Sequence, residues 1–263
     1  MAYNKNEVLD IPNSEKRIHG PADLLFQGMQ ILNRVEVGYP MGYFTGWDID
    51  GIFQTQEEVQ NYVNNGKVVL PNAKPGDVKF VDQNKDGKID DADRIMLGSP
   101  HPKVTLGLNV SMSYKGFDFA LSGYGNFGHQ IAQAYRSQGR VQYNYKTTIL
   151  DRWHGPGTSN KIPRVAQIDS NDNWFKPSPL FIKDASFFRL ATITFGYDFT
   201  RLWKTPFQRL RVYVSASNLF TFTKYDGMDP KVGYDGGRDW ISGIDVGYYP
   251  HPKVYNFGVN VTF

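Results

Sequence analysis

The segment DQNKDGKIDDAD, residues 82–93, places oxygen-bearing residues at the alternating positions that an EF-hand type Ca²⁺ loop uses. Gly87 stands at the sixth position, where such a loop turns sharply. Carboxylate, amide and carbonyl oxygens are the ligands that a hard cation prefers. The spacing therefore predicts a structural Ca²⁺ site. Its expected ligands are Asp82, Asn84, Asp86, the backbone carbonyl of Lys88, Asp90 and Asp93.

The last ligand position of this loop holds Asp93 rather than the usual glutamate, so a shorter side chain has to close the site. No helix pattern precedes the loop, and a calcium-sensing switch is therefore not expected. The predicted ion instead fixes the long connection that ends before residue 104. The alternative is a solvated acidic turn without an ion.

Residues suited to catalysis are sparse elsewhere. The chain has no cysteine, its five histidines are scattered, and it contains neither G-x-S-x-G nor H-E-x-x-H. Carboxylates cluster mainly in the loop at residues 82–93, where ligand spacing explains them better than glycosidase chemistry. The sequence therefore does not predict an enzyme.

Composition favours an all-β fold. Lys and Arg number 29 against 26 Asp and Glu, without a basic run, so nucleic acid is not an expected partner. Aromatic residues make up 15% of the chain and glycines number 26, which is typical of many strands and turns. The sequence contains no run of 18 apolar residues that predicts a membrane-spanning helix.

Alternation of apolar and polar residues predicts about six complete antiparallel strands and a partial one at residues 3–9. Lys115 and Gly116 form a two-residue hairpin signal, and a short helix is possible at residues 146–153. The clearest predicted strands are residues 104–114, 117–127, 187–199, 209–225 and 253–263.

Connections between these strands alternate in length. Short connections at 114–117 and 200–208 alternate with long ones at 77–103, 128–186 and 224–252. Outer-membrane barrels have short periplasmic turns, long extracellular loops and strands of about ten residues. The pattern therefore predicts a segment of an antiparallel transmembrane β-barrel.

A repeated HPKV stretch precedes two predicted strands, at residues 101–104 and 251–254. Both copies follow long connections, which predicts that both strands run in the same direction. His101 and His251 are expected to be strand-entry residues rather than metal ligands.

A soluble fold is the competing interpretation, because alternation alone does not distinguish a lipid-facing strand from one that faces a protein core. In this alternative the chain is a calcium-stabilised β-sandwich that binds carbohydrate, with Trp153, Trp174 or Trp240 stacking on sugar rings. Loop aromatics such as Phe175 fit either interpretation, and no substrate site is assigned from the sequence.

Several long motifs, in order, resemble the C-terminal part of SusC/RagA-type TonB-linked outer-membrane transporters. The resemblance covers nearly the whole chain. It rests on GYPMGYFTGWDIDGIFQ at 38–54, PNAKPGDVKFVDQNKDGKIDDADRIMLGSPHP at 71–102, SASNLFTFTKYDGMDP at 215–230 and YPHPKVYNFGVNVTF at 249–263.

The resemblance implies a plugged barrel of about 22 strands, of which this chain supplies the last six to seven. It implies import of glycans or peptides with a SusD-like lipoprotein, using energy from the TonB complex. A plug domain, a TonB box and a signal peptide have no counterpart in the sequence. The chain therefore resembles roughly the last quarter of such a transporter in the cell outer membrane.

The final predicted strand carries an aromatic and aliphatic stripe at every second position. The family resemblance implies that such a strand is an assembly signal read by the barrel assembly machinery. The stripe consists of Tyr255, Phe257, Val259, Val261 and Phe263.

Overall fold

The computed structural model describes residues 1–20, 30–134, 145–202, 206–231 and 240–263. Strands dominate this part of the chain, as the composition predicts. They are β1 (Ala2–Tyr3), β2 (Arg17–His19), β3 (Asn33–Glu36), β4 (Tyr43–Trp47), β5 (Ile49–Ile52), β6 (Val63–Asn64), β7 (Lys67–Val68), β8 (Val78–Phe80), β9 (Arg94–Gly98), β10 (Val104–Tyr114), β11 (Phe117–Phe127), β12 (Gln130–Gln133), β13 (Ile182–Asp184), β14 (Phe187–Asp198), β15 (Arg209–Thr223), β16 (Ile244–Asp245) and β17 (Val254–Thr262).

The principal sheet is antiparallel and has six strands in the order β1-β10-β11-β14-β15-β17. Its five long strands are the five clearest strands predicted from the sequence, and every strand end agrees with the prediction to within two residues. The predicted partial strand at residues 3–9 is wrong in extent, because only Ala2–Tyr3 pair with β10. In the described part of the chain, β1 and β17 form the two edges of this sheet.

The turn between β10 and β11 has the predicted two residues. Lys115 and Gly116 have φ angles of 48° and 91°, and Tyr114 pairs with Phe117. Positive φ angles at both turn residues give the turn a twist that matches the right-handed twist of the two flanking strands. The expected short turn at 200–208 includes a 3-10 helix, Phe199–Arg201, while its residues 203–205 lie outside the described chain.

Large apolar side chains on the principal sheet remain exposed. Met112, Phe195 and Phe257 expose 60%, 47% and 72% of their surface. A soluble β-sandwich buries one face of each sheet against the other. The exposed apolar side chains therefore argue against the soluble sandwich.

The segments that connect the strands of the principal sheet form four small sheets of their own and are here called the folded connections. Their strand orders are β13-β12-β16, β2-β3-β4-β9, β5-β8 and β6-β7. Alternation does not predict these sheets, because their strands have only two to five residues and many of their partners are distant in sequence. The long loops expected at 77–103, 128–186 and 224–252 therefore contain short strands, namely β8 and β9 in the first, β12 and β13 in the second and β16 in the third.

Two hydrophobic clusters hold these connections together. The first packs Leu32, Phe44, Phe181 and Ile244, and each of the four is at most 5% exposed. The second is built around Trp47, Phe53, Val59, Val78 and Phe80. Burial of such side chains stabilises a fold by roughly 1.5–3 kcal/mol each. The region beside the principal sheet thus has its own core.

Helical structure is limited to short elements in the described chain. The α-helix α1 (Gln56–Asn61) begins after Thr55, whose side chain accepts a hydrogen bond from Glu58 N–H. The possible helix at 146–153 is a 3-10 helix, Thr147–Asp151, and a third 3-10 helix spans Asp91–Asp93. The residues described contain no helix with the length and apolar character needed to cross a membrane.

Candidate functional site

The predicted calcium loop is closed by hydrogen bonds to its first residue. Asp82 Oδ2 accepts from Gly87 N–H and from Asn64 Nδ2, each at 2.9 Å. Gly87 has a φ of +89°, and a Cβ there would lie 2.7 Å from Asn64 O, so the turn requires glycine. The structure thus brings the first and sixth positions of the motif together.

The other carboxylate oxygen of Asp82 is the unusual feature of this loop. Asp82 is 3% exposed, and its buried Oδ1 has no hydrogen-bond partner. Burial raises the pKa of Asp82, but hydrogen bonds from Gly87 N–H and Asn64 outweigh burial, so the pKa lies below its ordinary value. A charged, buried oxygen without a partner is costly unless a ligand compensates it.

The remaining predicted ligands are engaged with the loop itself. Asp93 is fully buried, and its two oxygens accept from Gln83 N–H at 2.9 Å and Asp90 N–H at 2.8 Å. Asn84 Oδ1 accepts from Asp86 N–H at 3.0 Å, and Lys88 Nζ contacts the Asp90 carboxylate. Across the described residues, no group of three or more His, Cys, Asp or Glu side chains is arranged to hold a metal ion.

Two aromatic residues anchor this loop to the second hydrophobic cluster. Tyr62 donates its hydroxyl to Phe80 O at 2.9 Å and accepts from Asp82 N–H at 3.1 Å. Trp47 Nε1 donates to Asp90 O at 2.8 Å. These contacts fix both halves of the loop to a packed core. The backbone around Asp82 is therefore held in place from outside the loop.

The expected assembly stripe lies on β17 and is exposed along its length. Tyr255, Phe257 and Val259 expose 69%, 72% and 51% of their surface. Phe263 is 83% exposed and stacks edge-on against Phe207, with ring centroids 5.3 Å apart. Successive strand residues point to opposite faces, so these side chains share one face of β17.

The tryptophans considered for sugar stacking make contacts within the folded connections. Trp153 Nε1 donates to Gln54 Oε1 at 3.2 Å, and Trp174 Nε1 donates to Arg164 O at 3.1 Å. Trp174 and Trp240 both pack against the first hydrophobic cluster. Phe175 is half-buried.

The two histidines expected at strand entries contact other parts of the protein. The His101 ring lies 2.8 Å from Met41 O, and His251 N–H donates to the Asp229 carboxylate.

A cavity of about 480 Å³ lies where several of these connections meet. Its wall combines apolar residues, among them Trp174, Leu180 and Phe181, with charged ones. Gln133 Nε2 donates to Asp226 Oδ1 at 2.6 Å. Sequence patterns did not predict this site, because its residues come from connections far apart in the chain.

Lysines dominate the charge of the cavity wall. Lys146 Nζ lies 3.4 Å from Asp226 Oδ2 and 3.3 Å from Gln133 Oε1. Lys183, on β13, is half-buried, and burial lowers the pKa of its ammonium group below the ordinary value. For Asp226, burial opposes ionisation, but Lys146 and Gln133 outweigh it and lower the pKa.

The sequence is similar to those of TonB-dependent receptors. No protein-family model matches the chain. TonB-dependent receptor P3 of Formosa agariphila is 29% identical over 272 residues, a match that spans 100% of this chain and 26% of the relative. TonB-dependent receptor SusC of Bacteroides thetaiotaomicron is 32% identical over 195 residues, which is 73% of this chain and 18% of SusC.

The fold is similar to that of a solved transporter structure. A solved structure of the RagAB peptide transporter superposes with a TM-score of 0.70 at 19% identity, over 99% of this chain and 26% of that one. At this identity the likeness shows the fold. The chain spans about a quarter or less of the length of these relatives. The motifs, the sequence matches and the fold together show that this chain is related to the SusC/RagA-type TonB-dependent receptors.

Proposed function

We propose that the chain is the C-terminal barrel portion of an outer-membrane TonB-dependent transporter that imports glycans or peptides. The observation that carries this proposal is the antiparallel sheet of long strands whose apolar side chains stay exposed. Such a sheet suits a barrel wall in lipid, with the folded connections outside the membrane and the short turns at the opposite end. The full barrel, of about 22 strands in plugged transporters, would use β1 and β17 as edges for pairing with the missing strands.

The proposed partners follow from the relatives. SusC and RagAB, whose solved structure is that of a peptide transporter, support a SusD-like lipoprotein at the outer face and a glycan or peptide substrate. The TonB complex would supply the energy for transport through the full-length receptor. Passage through a gated barrel, rather than enzymatic conversion, is the proposed activity.

Purification of the full-length receptor tests this function. We expect the receptor in the outer-membrane fraction, together with a SusD-like lipoprotein that mass spectrometry identifies. Deletion of the receptor gene is expected to abolish growth on the imported nutrient while growth on a simple sugar continues. A receptor recovered from the cytoplasm as a soluble protein contradicts the proposal.

A Ca²⁺ ion in the loop at residues 82–93 is the second part of the proposal. Its support is the buried, unpartnered Oδ1 of Asp82 in a motif whose spacing suits the ion. Asp82, Asn84, Asp86, the carbonyl of Lys88, Asp90 and Asp93 would hold it. Because Asp93 and Asn84 accept backbone hydrogen bonds in the structure, binding would require these side chains to exchange partners.

We expect Asp82→Ala together with Asp86→Ala to remove a Ca²⁺ equivalent from calorimetric titrations of the full-length receptor. The change removes the buried oxygen and a second carboxylate ligand. Asp91→Ala is the matched control, because Asp91 carries the same charge at a non-ligand position and its side chain is 88% exposed. Unchanged stoichiometry and affinity in the double variant rule out the site.

The exposed stripe of β17 is proposed as an assembly signal for the barrel assembly machinery. Its support is the exposure of Tyr255, Phe257, Val259 and Val261 on the edge strand β17 and of Phe263 directly after it. An unpaired edge presents free backbone donors and acceptors to a pairing strand. The machinery would supply that pairing until the barrel closes.

A further inference from the structure

The cavity of about 480 Å³ is large enough for a small ligand or for the end of a longer one. Residues from six separate stretches line it, including β5, β12 and β13. Because these stretches belong to the folded connections, the cavity lies on the part of the chain that the proposed transporter presents outside the lipid. It is thus placed to meet a nutrient before transport.

The described charges of the cavity wall do not balance. Lys146, Lys161 and Lys183 face a single carboxylate, that of Asp226. Asp226 is already held by Gln133 at 2.6 Å and by Lys146 at 3.4 Å. Its negative charge is therefore largely committed to that pair of partners, and the described part of the wall retains a net positive charge.

Lys161 is exposed to solvent, whereas Lys183 is half-buried and has no direct partner among the described residues. Its ammonium group makes no hydrogen bond or ion pair among the described residues, and only longer-range attraction to Asp226 supports its charge. The surroundings are apolar, with Leu180 and Phe181 on the same wall. A half-buried ammonium group of this kind gains most from a ligand that brings a negative charge.

We infer that the cavity binds a carboxylate group of the imported ligand, with Lys183 as the residue that pairs with it. This inference rests on the proposed transport function and adds the chemical class of ligand to it. The apolar wall would contact the uncharged part of the ligand. The carboxylate can come from the C-terminus of a peptide or from a uronic acid in a glycan.

Binding measurements on the full-length receptor with its lipoprotein test the inference. The probes are a short peptide with a free C-terminal carboxylate, the same peptide with a C-terminal amide, a uronic acid oligosaccharide and its neutral counterpart. Titration calorimetry is expected to show that at least one carboxylated probe binds about tenfold more tightly than its neutral counterpart. The probe pair that shows this preference identifies the source of the carboxylate.

Lys183→Met is expected to remove this preference, and Lys183→Arg to retain most of it because the charge is kept. Lys74→Met is the matched control, since Lys74 is exposed and lies outside the cavity wall. Circular dichroism and lipoprotein co-purification verify that the variants assemble.

Three results overturn the inference: neither carboxylated probe is preferred by the unmodified receptor, Lys183→Met keeps the preference, or Lys74→Met loses it equally. All three leave the transport proposal intact as long as the receptor remains in the outer membrane with its lipoprotein. A soluble receptor without a lipoprotein refutes transport instead, so the two failures are distinguishable.

Discussion

Replacing Asp229 by alanine is expected to destabilise the connection after β15 by about 3–5 kcal/mol, because it leaves a buried arginine without its counter-charge. Arg189 Nη2 lies 2.6 Å from Asp229 Oδ1, and the two side chains are 3% and 2% exposed. Limited proteolysis of the full-length receptor in detergent is the measurement. We expect new cleavage near residues 226–231 at protease concentrations that leave the unmodified receptor intact.

The expected loss of stability follows from the number of groups that hydrogen-bond to the Asp229 carboxylate. Its carboxylate also accepts from Lys231 N–H at 2.9 Å and from His251 N–H at 3.3 Å. Burial opposes ionisation of Asp229, but Arg189 outweighs it, so the pKa of the carboxyl lies below its ordinary value. A single carboxylate thus joins β14 to both ends of the long connection between β15 and β17.

Asp50→Ala is the matched control for this variant. Asp50 also contacts its partner, Lys79, at 2.6 Å, but its side chain is 66% exposed. Exposed pairs contribute about 0–1 kcal/mol, so this variant should resist protease like the unmodified receptor. Equal sensitivity of the two variants, or resistance of Asp229→Ala, contradicts the assigned role of the buried pair.

The long strands were predictable because each carries its own pattern. In β10, apolar residues from Val104 to Tyr114 alternate without interruption, and the turn at Lys115 and Gly116 fixes the register with β11. These signals are local in sequence. They require no knowledge of which distant segment packs nearby, and the boundaries of β10 and β11 were therefore predicted to the residue.

The folded connections were not predictable for the opposite reason. Phe44 pairs with Gly98, and its ring packs with Phe181 and Ile244. Strands of two to five residues lack enough alternation to indicate a face, and their stability comes from contacts between distant segments. The sequence therefore predicted where the long connections lie, but it did not predict the short strands within them.

The two candidate sites also differ in whether a local sequence motif predicts them. The loop at residues 82–93 was recognisable because all its proposed ligands lie within one short motif, whereas the unpartnered oxygen of Asp82 became evident only in the structure. Lys183 and Asp226 belong to different connections, and neither has a local motif around it. The cavity they share depends on tertiary packing alone.

Replacing Phe263 by aspartate is expected to reduce the outer-membrane level of the full-length receptor severalfold while its synthesis is unchanged. The aromatic ring is 83% exposed at the end of the β17 stripe, where the assembly machinery is proposed to bind it. A carboxylate at this position removes the aromatic contact and adds a charge to a lipid-facing surface. Quantitative immunoblots of outer-membrane and whole-cell fractions measure the effect.

Asn260→Asp separates recognition of the stripe from a general effect of charge on β17. Asn260 lies on the opposite face of the strand, paired with Arg211 on β15, so a carboxylate there adds the same charge without touching the stripe. We expect this variant to reach the outer membrane at the unmodified level. Phe257→Asp, within the stripe, should instead behave like Phe263→Asp, because both remove an exposed aromatic from one apolar face. Normal insertion of Phe263→Asp would make the terminal aromatic an ordinary strand residue, and equal loss in Asn260→Asp would assign the defect to charge rather than to recognition of the stripe.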